Sequence, residues 1–315
     1  MNKDLLQALK NHELRGFVIK SWPWFGPIRS RALAILGFLK GYFSFGEMLN
    51  LMLTTKYKST ALRVKFANFI NTETRKAIAL FVNSDNSIDI FGDKMYAPFN
   101  NVAELFDLIY SILYFDQYGA GKFLQKDSVV IDAGANIGTF SILASHLAPS
   151  GKVYSFEPVK YTFELLRKNT VNYKNVSSYN YGLGDKESEK KIFVYKDTTG
   201  GNVLEDSEVV EQRIREDFSG SEKIRITTID KFVKENNINK VDFIKIDTEG
   251  YEARIIEGAR ETIKRFKPIM AMSAYHNDND KELLPRIVKS IDQNYKYKLE
   301  NIFEEDFIFY IDDKT

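Results

Sequence analysis

The pattern of apolar and polar positions separates a front part of this chain from a longer body. From Ser128 onward, short runs of β-forming residues are separated by amphipathic stretches, a pattern typical of parallel βαβ units with right-handed crossovers. The runs predict five strands, at Val129–Asp132, Val153–Glu157, Val176–Tyr181, Phe243–Asp247 and Ile269–Ala274. The amphipathic stretches predict helices near Gly138–Leu147, Tyr161–Asn169, Asp230–Glu235 and Gly250–Phe266. We therefore predict an α/β fold over residues 128–315, with a doubly wound, mostly parallel sheet and helices on both faces.

The residues before this body have a different pattern. Residues 1–71 show helical spacing of apolar residues, although Trp22-Pro-Trp-Phe-Gly-Pro27 must interrupt any helix because proline lacks a backbone donor. Two β-forming segments, Ala77–Asn83 and Ser87–Tyr96, predict a hairpin around Ser84-Asp-Asn, and Val102–Tyr114 predicts a helix. The predicted organisation is a helical extension (1–71), a hairpin and helix that lead into the core (72–127), and the α/β domain (128–315).

Between the third predicted strand and Asp230, the chain makes a longer excursion. Lys191–Tyr195 and Ile224–Thr227 predict two further strands within it. The segment Asp197-Thr-Thr-Gly-Gly-Asn202 has small polar residues around two glycines, which suits a lid over a bound cofactor and equally suits a plain surface loop.

The net charge of +1 conceals an asymmetry along the chain. Residues 1–65 hold eleven Lys/Arg and three Asp/Glu, a net +8, whereas the remainder holds 33 basic and 40 acidic residues, a net −7. The front also holds both tryptophans, so it suits contact with an anionic membrane surface or a lipid-linked acceptor, and a helical subdomain packed on the main domain is the plainer interpretation. Its most apolar stretch, Arg31–Leu53, is broken by Lys40 and Glu47, short of the roughly 18–20 residues that a spanning helix needs.

The chain has no cysteine, and its first residues lack the layout of a secretory signal. We therefore expect a cytoplasmic protein, with peripheral contact at the inner face of the membrane as an option for residues 1–65. The sequence makes no prediction of the oligomeric state.

The first strand of the body leads into a turn that is typical of cofactor pockets. Val129–Ile131 form an apolar strand, Asp132 ends it, and Gly134 and Gly138 let the backbone approach a ligand before a helix opens at Thr139. The spacing departs from the Gly-x-Gly-x-x-Gly of dinucleotide sites, and an acid two residues before the first glycine would repel a pyrophosphate. A ligand with ammonium and sulfonium charges, such as S-adenosylmethionine, fits better.

Glu157 ends the second strand, where Rossmann-like folds hold ribose hydroxyls through a carboxylate. Ordinary helix capping after a strand is the alternative interpretation of Asp132 and Glu157.

A second acidic turn follows the strand Phe243–Asp247. Asp247 ends the strand, and Glu249 and Glu252 are three residues apart, so we expect them to share a helical face toward the crevice or the solvent. Acids in a first helical turn are also favoured by the helix dipole alone.

These segments occur in a recognisable order: Ile131-Asp-Ala-Gly-Ala-Asn-Ile-Gly138, Phe156-Glu-Pro158, Gly182-Leu-Gly-Asp185, Thr228-Ile-Asp230 and Lys245-Ile-Asp-Thr-Glu-Gly-Tyr-Glu252. Together they resemble the FkbM family of S-adenosylmethionine-dependent methyltransferases, over about residues 115–280 and beginning with Asp116-Gln-Tyr-Gly119. The resemblance implies a class I methyltransferase fold and methyl transfer to a hydroxyl oxygen, often on a sugar, a cell-surface acceptor or a secondary metabolite. Residues 1–70 lie outside it.

By this resemblance, one group of residues matches the positions that bind the cofactor: Asp132, Gly134, Ala135, Asn136, Gly138, Glu157 and Pro158. Gly184 and Asp185 are expected to approach the adenine. The family often has a glutamate after the fifth strand, where this chain has Ser273-Ala-Tyr-His276.

Transfer from a sulfonium to oxygen requires alignment of donor and acceptor and removal of the acceptor proton. The candidates for the general base are Asp247, Glu249 and His276, because all three follow strand ends on the cofactor side of the sheet, although a lone histidine after a strand is more often structural. Oxygen ligands for magnesium are available from Asp230, Asp247 and Glu249, but their spacing defines no site, and we expect no required metal.

Two other functions are alternatives to methyl transfer to a small molecule, glycan or glycolipid. A nucleic-acid substrate is disfavoured because the catalytic part carries −7 and would repel phosphate. A non-catalytic module that binds the cofactor and is tethered to a membrane or a glycan-assembly complex remains open, and product formation distinguishes it from an enzyme.

Overall fold

The computed structural model describes residues 44, 85, 87–97, 108–114, 116–195, 198–207, 218–301 and 304–312. Apart from residue 44, the predicted helical extension lies outside them, as do the strand Ala77–Asn83 and the first part of the helix Val102–Tyr114. The chain divides into two compact units, one that ends at Ile88 and one that runs from Asp89 to Thr315. The helices and strands of the described residues lie in the second unit, apart from Ser87 and Ile88.

The elements of the described residues follow in chain order. The strands are β1 (Ser87–Ile90), β2 (Asp93–Tyr96), β3 (Val129–Ala133), β4 (Lys152–Phe156), β5 (Val176–Tyr179), β6 (Gly182–Leu183), β7 (Ser188–Tyr195), β8 (Val203–Leu204), β9 (Phe218–Thr227), β10 (Phe243–Ile246), β11 (Ile269–Ser273), β12 (Lys296–Asn301) and β13 (Glu305–Tyr310). The helices are a π-helical turn (Ile109–Tyr114), α1 (Ala120–Phe123), α2 (Thr139–Leu147), α3 (Lys160–Thr170), α4 (Ile229–Glu235), α5 (Glu252–Glu257), α6 (Arg260–Phe266) and α7 (Asp280–Ile291).

A seven-stranded sheet with the order β12-β13-β11-β10-β3-β4-β5 forms the centre of the fold. All neighbours from β11 to β5 are parallel, and β13 runs antiparallel to both β11 and β12. The order of its parallel strands is that of a doubly wound sheet, in which ligands bind beyond the carboxyl ends of the strands. The predicted class I methyltransferase fold is confirmed.

The central strands are buried on both faces, as their unbroken apolar sequences require. Ile131 in β3, Ile244 in β10 and Met270 in β11 are fully buried. Because β3 lies between β4 and β10, the turns that follow these three strands meet at one edge of the sheet. That edge is where the predicted site residues are expected.

A second sheet, with the order β6-β9-β7-β8, is formed by the excursion before α4. Its long strands β7 and β9 are antiparallel and contain the two predicted strands. The third predicted strand is two residues too long, because β5 ends at Tyr179, and the chain then enters the second sheet at Gly182–Leu183.

Two further predictions are corrected. The segment Ser87–Tyr96 is two strands rather than one, because Phe91 and Gly92 have φ of 55° and 85° and form the turn between β1 and β2. The predicted helix Gly250–Phe266 is two helices, α5 and α6. A Cβ on Gly258 would lie 1.9 Å from the carbonyl oxygen of Gly184, so the break between them is a point of close packing.

Among the residues that the structure describes, no helix has the length and apolarity that a membrane crossing requires.

Candidate active site

A cleft of about 910 Å³ lies beyond the carboxyl ends of β3, β4 and β10. Its walls come from the turns after these strands, from Tyr118, and from the loop between β7 and β8. The predicted cofactor residues that line it are Gly134, Ala135, Asn136, Glu157 and Pro158, and the predicted catalytic residues that line it are Asp247 and Glu249.

The turn after β3 follows a path that requires glycine. Gly134 has φ of 74°, and a Cβ there would lie 1.9 Å from the carbonyl oxygen of Asp247. The N–H groups of Gly134 and Ala135 both donate to the carbonyl of Phe156, at 3.1 and 2.9 Å. Gly138, with φ of 98°, precedes α2 and packs against Leu166. The turn is thus fixed between β4 and β10, with its backbone open to the cleft.

Glu157 is a buried carboxylate in the cleft wall, with 6% of its surface exposed. Its Oε2 accepts the N–H of Asn136 at 3.1 Å, and its Oε1 accepts the N–H of Val159 at 3.0 Å. Each oxygen retains a lone pair for a further donor. Burial raises the pKa of Glu157 to about 7, even though both N–H groups favour the charged form.

Asp132, which is predicted to bind the cofactor, is not among the residues that line the cleft. It is fully buried, its Oδ2 accepts the hydroxyl of Ser141 at 2.6 Å, and its Oδ1 lies 3.4 Å from Nζ of Lys245. The strand continues to Ala133, and the register of β3 on β10 places Asp132 directly beside Lys245. Asp132 therefore supports the wall of the site from behind.

Lys245 is a site residue that our sequence analysis missed. Its side chain is 4% exposed, and its Nζ donates to the carbonyl of Gly134 at 2.6 Å and to that of Ala133 at 3.4 Å. A lysine inside the apolar strand Phe243–Ile246 was the available signal, because an ammonium is buried only where it is paired. Lys245 fixes the glycine turn to β10.

Gly184 and Asp185 also do not line the cleft, in which Gly182 and Leu183 lie instead. A Cβ on Gly184 would contact Ile226 and the ring of Tyr251, and the carboxylate of Asp185 lies 3.7 Å from Arg254. The residues of this segment that line the cleft are therefore Gly182 and Leu183, two residues toward the amino terminus of the predicted pair, and the approach of Gly184 and Asp185 to an adenine stays a prediction.

The acidic turn after β10 differs from the predicted helical turn. Glu249 has φ of 56° and precedes α5, which begins at Glu252, so the two glutamates do not share a helical face. Glu252 is fully buried, and its Oε1 accepts the N–H of Thr248 at 2.8 Å and the hydroxyl of Thr248 at 3.2 Å. A non-glycine residue with positive φ is uncommon and is often found at functional sites.

Asp247 faces the cleft, with 26% of its side chain exposed. Its Oδ2 accepts the hydroxyl of Tyr118 at 2.7 Å. Burial opposes ionisation, but the positive charges of Lys245 and His276 and the Tyr118 hydroxyl together lower the pKa of Asp247 below its usual value. Tyr118 was also missed as a site residue, although it lies in the Asp116-Gln-Tyr-Gly119 motif that contributed to the resemblance.

His276 lies behind the acidic turn, with 1% of its side chain exposed. Its Nδ1 lies 3.0 Å from Oε1 of Glu252, and its Nε2 lies 3.5 Å from Glu249 and 3.8 Å from Asp247. Burial disfavours the charged ring, but the carboxylates of Glu252, Asp247 and Glu249 outweigh it and raise the pKa of His276 to about 10. A protonated ring cannot accept a proton, which argues against His276 as the general base.

Of the residues considered for magnesium, Asp247 and Glu249 line the cleft and Asp230 does not. Asp230 caps α6, because its carboxylate accepts the N–H groups of Glu261 and Thr262 at 3.0 and 2.7 Å. Oxygen and nitrogen atoms of Asp247, Glu252 and His276 do lie within 4.8 Å of one another. With its ring protonated, His276 forms ion pairs with both of these carboxylates.

The described part of the predicted lid, residues 198–202, reaches the site. Thr199 to Asn202 line the cleft, and the N–H of Gly201 donates to Oε1 of Glu249 at 2.7 Å. This bond connects the loop between β7 and β8 to the acidic turn.

We expect Glu249→Ala to loosen this loop, because it removes the acceptor of the Gly201 N–H. Amide hydrogen exchange at Gly201 should accelerate by about tenfold to a hundredfold, as expected for loss of one hydrogen bond to a charged group. The matched variant Glu249→Gln keeps an oxygen at the same position and should retain most of the protection. Equal exchange in the parent and in Glu249→Ala would show that Glu249 does not hold the loop.

The sequence model described as the methyltransferase FkbM domain matches residues 132–299. The 31-O-demethyl-FK506 methyltransferase FkbM of Streptomyces tacrolimicus is 25% identical over 45% of this chain and 63% of its own length. The hexuronic acid methyltransferase AglP of Haloferax volcanii is 26% identical over 44% of this chain and 53% of its own length.

The crystal structure of a methyltransferase FkbM from Methylobacillus flagellatus is 18% identical, with a TM-score of 0.45, over 78% of this chain and 60% of that one. The chain spans less than two thirds of the length of the curated relatives that it matches, from 9% to 66%.

Proposed function

Because the chain belongs to the family of the methyltransferase FkbM domain, we propose that it is an S-adenosylmethionine-dependent O-methyltransferase whose acceptor is a hydroxyl of a sugar, glycolipid or secondary metabolite. One observation carries the proposal: a buried carboxylate with free lone pairs, Glu157, and an ionised carboxylate, Asp247, line the same cleft on either side of a glycine turn. The first suits a ribose and the second suits an acceptor hydroxyl.

The residues around the glycine turn fit the cofactor. Glu157 would accept the two ribose hydroxyls, since both of its oxygens are already oriented by backbone N–H groups. Gly134, Ala135 and Asn136 line the cleft and would border the methionine part of the cofactor. Glycine is required at position 134 because a Cβ there would collide with the carbonyl oxygen of Asp247. When bound, S-adenosylmethionine supplies an electrophilic methyl carbon and takes up the electron pair of the broken carbon–sulfur bond.

The residues of the acidic turn supply the rest of the chemistry. Asp247 is ionised and within the cleft, so it can hold the acceptor hydroxyl by a hydrogen bond and take its proton as the new carbon–oxygen bond forms. Tyr118 donates to the other oxygen of Asp247 and fixes the direction of the first. Orientation of the two reactants in this cleft is the larger contribution to the rate, at about 7–11 kcal/mol.

We call the part of the cleft next to the acidic turn the acceptor side. Its negative charge favours an acceptor molecule that carries no negative charge itself. Asp247 and Glu249 line the acceptor side, and the nearby ammonium of Lys245 is turned to the carbonyls of the glycine turn. AglP is named for a hexuronic acid, whereas FkbM is named for 31-O-demethyl-FK506. We therefore expect a neutral sugar or polyol rather than an acidic sugar here.

This expectation is tested with a matched pair of methyl glycosides, a hexose and its uronic acid. The neutral member should have a kcat/KM at least about tenfold higher, because a carboxylate placed near Asp247 and Glu249 is repelled. Higher salt should narrow the ratio. Faster methylation of the uronic acid would contradict the assignment.

The function itself is tested by mass spectrometry of glycans, glycolipids and small hydroxyl compounds incubated with the protein and S-adenosylmethionine. The expected result is a methylene-sized gain of mass on one acceptor, with an equal amount of S-adenosylhomocysteine. Tight binding of S-adenosylmethionine without product on any acceptor would favour a non-catalytic binding module instead.

A further inference from the structure

His276 is a buried ionisable group behind the turn that carries Asp247 and Glu249. It follows β11, and its ring lies between Glu252 at the start of α5 and the turn that carries Asp247 and Glu249. Glu252 lies 3.0 Å from Nδ1, and the other two carboxylates lie 3.5 and 3.8 Å from Nε2. Both nitrogens of one ring therefore face carboxylate oxygens.

This arrangement determines which form of the ring fits. A neutral imidazole has one N–H and one lone pair, so one of its nitrogens would direct a lone pair at a carboxylate. Only the imidazolium presents an N–H on both sides. The contact at Nδ1 has the length of a hydrogen bond, while the contacts at Nε2 are longer and chiefly electrostatic.

We propose that His276 is a positioning residue for the methyl transfer: a permanent imidazolium, anchored by Glu252, that holds the carboxylates of Asp247 and Glu249 at the acceptor side and keeps Asp247 ionised. The proposal rests on the proposed function for the role of Asp247 as the base. In this role His276 acts on the reaction by orienting and charging Asp247, and it does not itself take the proton of the acceptor.

The charges around the cluster support this assignment. The charged groups that face His276 come from four places: Glu252 of α5, Asp247 and Glu249 of the turn after β10, Asp280 of α7, and Glu304 before β13. All are acidic, and Glu252, Asp247 and Glu249 raise the pKa of the ring to about 10 against the effect of burial.

Asp247 has neighbours of both charges. The cations are Lys245 and His276. The other charged or titratable neighbours are Asp132, Glu304, Asp306 and the hydroxyls of Tyr118 and Tyr275. Burial raises the pKa of Asp306 to about 7, so this neighbour is only partly ionised at neutral pH. Lys245 and His276 are therefore the two charges that offset the burial of the Asp247 carboxylate.

The kinetic test uses two neutral variants that imitate one nitrogen each. His276→Asn places an amide donor near Nδ1, and His276→Gln places one near Nε2. Removal of an opposite charge at this distance should raise the pKa of Asp247 by about 1–3 units, so kcat at saturating substrates should fall on the acid side, below about pH 6. The parent should be flat from about pH 5 to pH 9, and KM for S-adenosylmethionine should change less than about twofold in both variants.

The outcomes separate charge from hydrogen bonding. A shifted acid limb in both variants supports the proposal, whereas restoration of the parent profile by either amide would overturn it, because a hydrogen bond would then suffice. The matched control is His146→Gln, which changes a half-buried histidine that packs on Phe91 and Tyr173 and should not move the limb. Activity lost on dialysis against EDTA and regained with magnesium would also overturn it, since the ring would then be a neutral ligand.

A second measurement needs neither an acceptor nor a variant that folds. Long-range ¹⁵N–¹H spectra of the ring, recorded on the parent protein, should show both nitrogens of His276 protonated between about pH 6 and pH 9. A ring that titrates near its ordinary value would overturn the proposal, even if methyl transfer is established. Absence of turnover with every acceptor would instead count against the proposed function, and the spectra would still decide the charge of His276.

Discussion

Replacing Asp247 with asparagine is expected to lower kcat by about 10²–10⁴-fold, the usual contribution of a general base. The amide is nearly isosteric and keeps an oxygen for the hydroxyl of Tyr118, which now donates at 2.7 Å, but it cannot take a proton. The carboxylate is 26% exposed at the cleft, so the substitution should leave the melting temperature close to that of the parent. Turnover at saturating S-adenosylmethionine and acceptor is the measurement, with thermal unfolding recorded beside it.

The informative comparison is Glu252→Gln, since both acids belong to the same motif. Glu252 is fully buried and its Oε1 accepts from Thr248 and His276, so an amide oxygen at that position can still accept these bonds but leaves the imidazolium without its nearest counter-charge. We expect a loss of about 1–3 kcal/mol in the free energy of unfolding and a smaller loss of kcat than in Asp247→Asn. The exposed Glu257→Gln on the same helix is the control and should affect neither quantity. Parent-like turnover of Asp247→Asn would remove Asp247 from the mechanism.

The strand ends that carry Glu157 and Asp247 could be predicted because local information specifies them. An apolar run marks each buried strand, and a glycine or an acid marks its end, so the predicted strands agree with β3, β4, β10 and β11 within one residue at each end. The carboxyl ends of parallel strands meet at one edge of the sheet, which placed both acids in one cleft.

The errors arise where contacts distant in sequence decide the structure. Asp132 has the pattern of a strand-end acid, but the register with β10 sets it beside Lys245, and no local signal gives that register. Gly258 breaks the predicted helix because it packs on the carbonyl of Gly184, which lies 74 residues earlier in the chain. The strands β12 and β13 and the helix α7 also went unpredicted, and Pro285 inside α7 argues locally against a helix.

Glu157 should make the binding of S-adenosylmethionine depend on pH near neutrality. Burial raises its pKa to about 7, so in the free protein the carboxylate is protonated below that pH and ionised above it. Ribose hydroxyls donate best to the ionised form, and affinity should therefore rise as the pH rises through about 7 and level off above it. Below that pH the dissociation constant should increase by up to about tenfold per pH unit, because binding must first remove the proton. Isothermal titration calorimetry at several pH values measures this directly.

The matched variant Glu157→Gln separates the carboxylate from the rest of the cleft. Its amide can accept from only one of the two N–H groups, of Asn136 and Val159, that the carboxylate now satisfies. Loss of charge-assisted bonds worth about 1.5–3 kcal/mol each should weaken S-adenosylmethionine at least about tenfold above neutral pH. The pH dependence should vanish in this variant, because no titrating group remains at the ribose. Glu164→Gln, an exposed change on α3 that touches only the Arg167 ion pair, should retain both the parent affinity and its pH dependence. A Glu157→Gln protein that keeps the parent's pH profile would show that another group controls it and that the ribose lies elsewhere in the cleft.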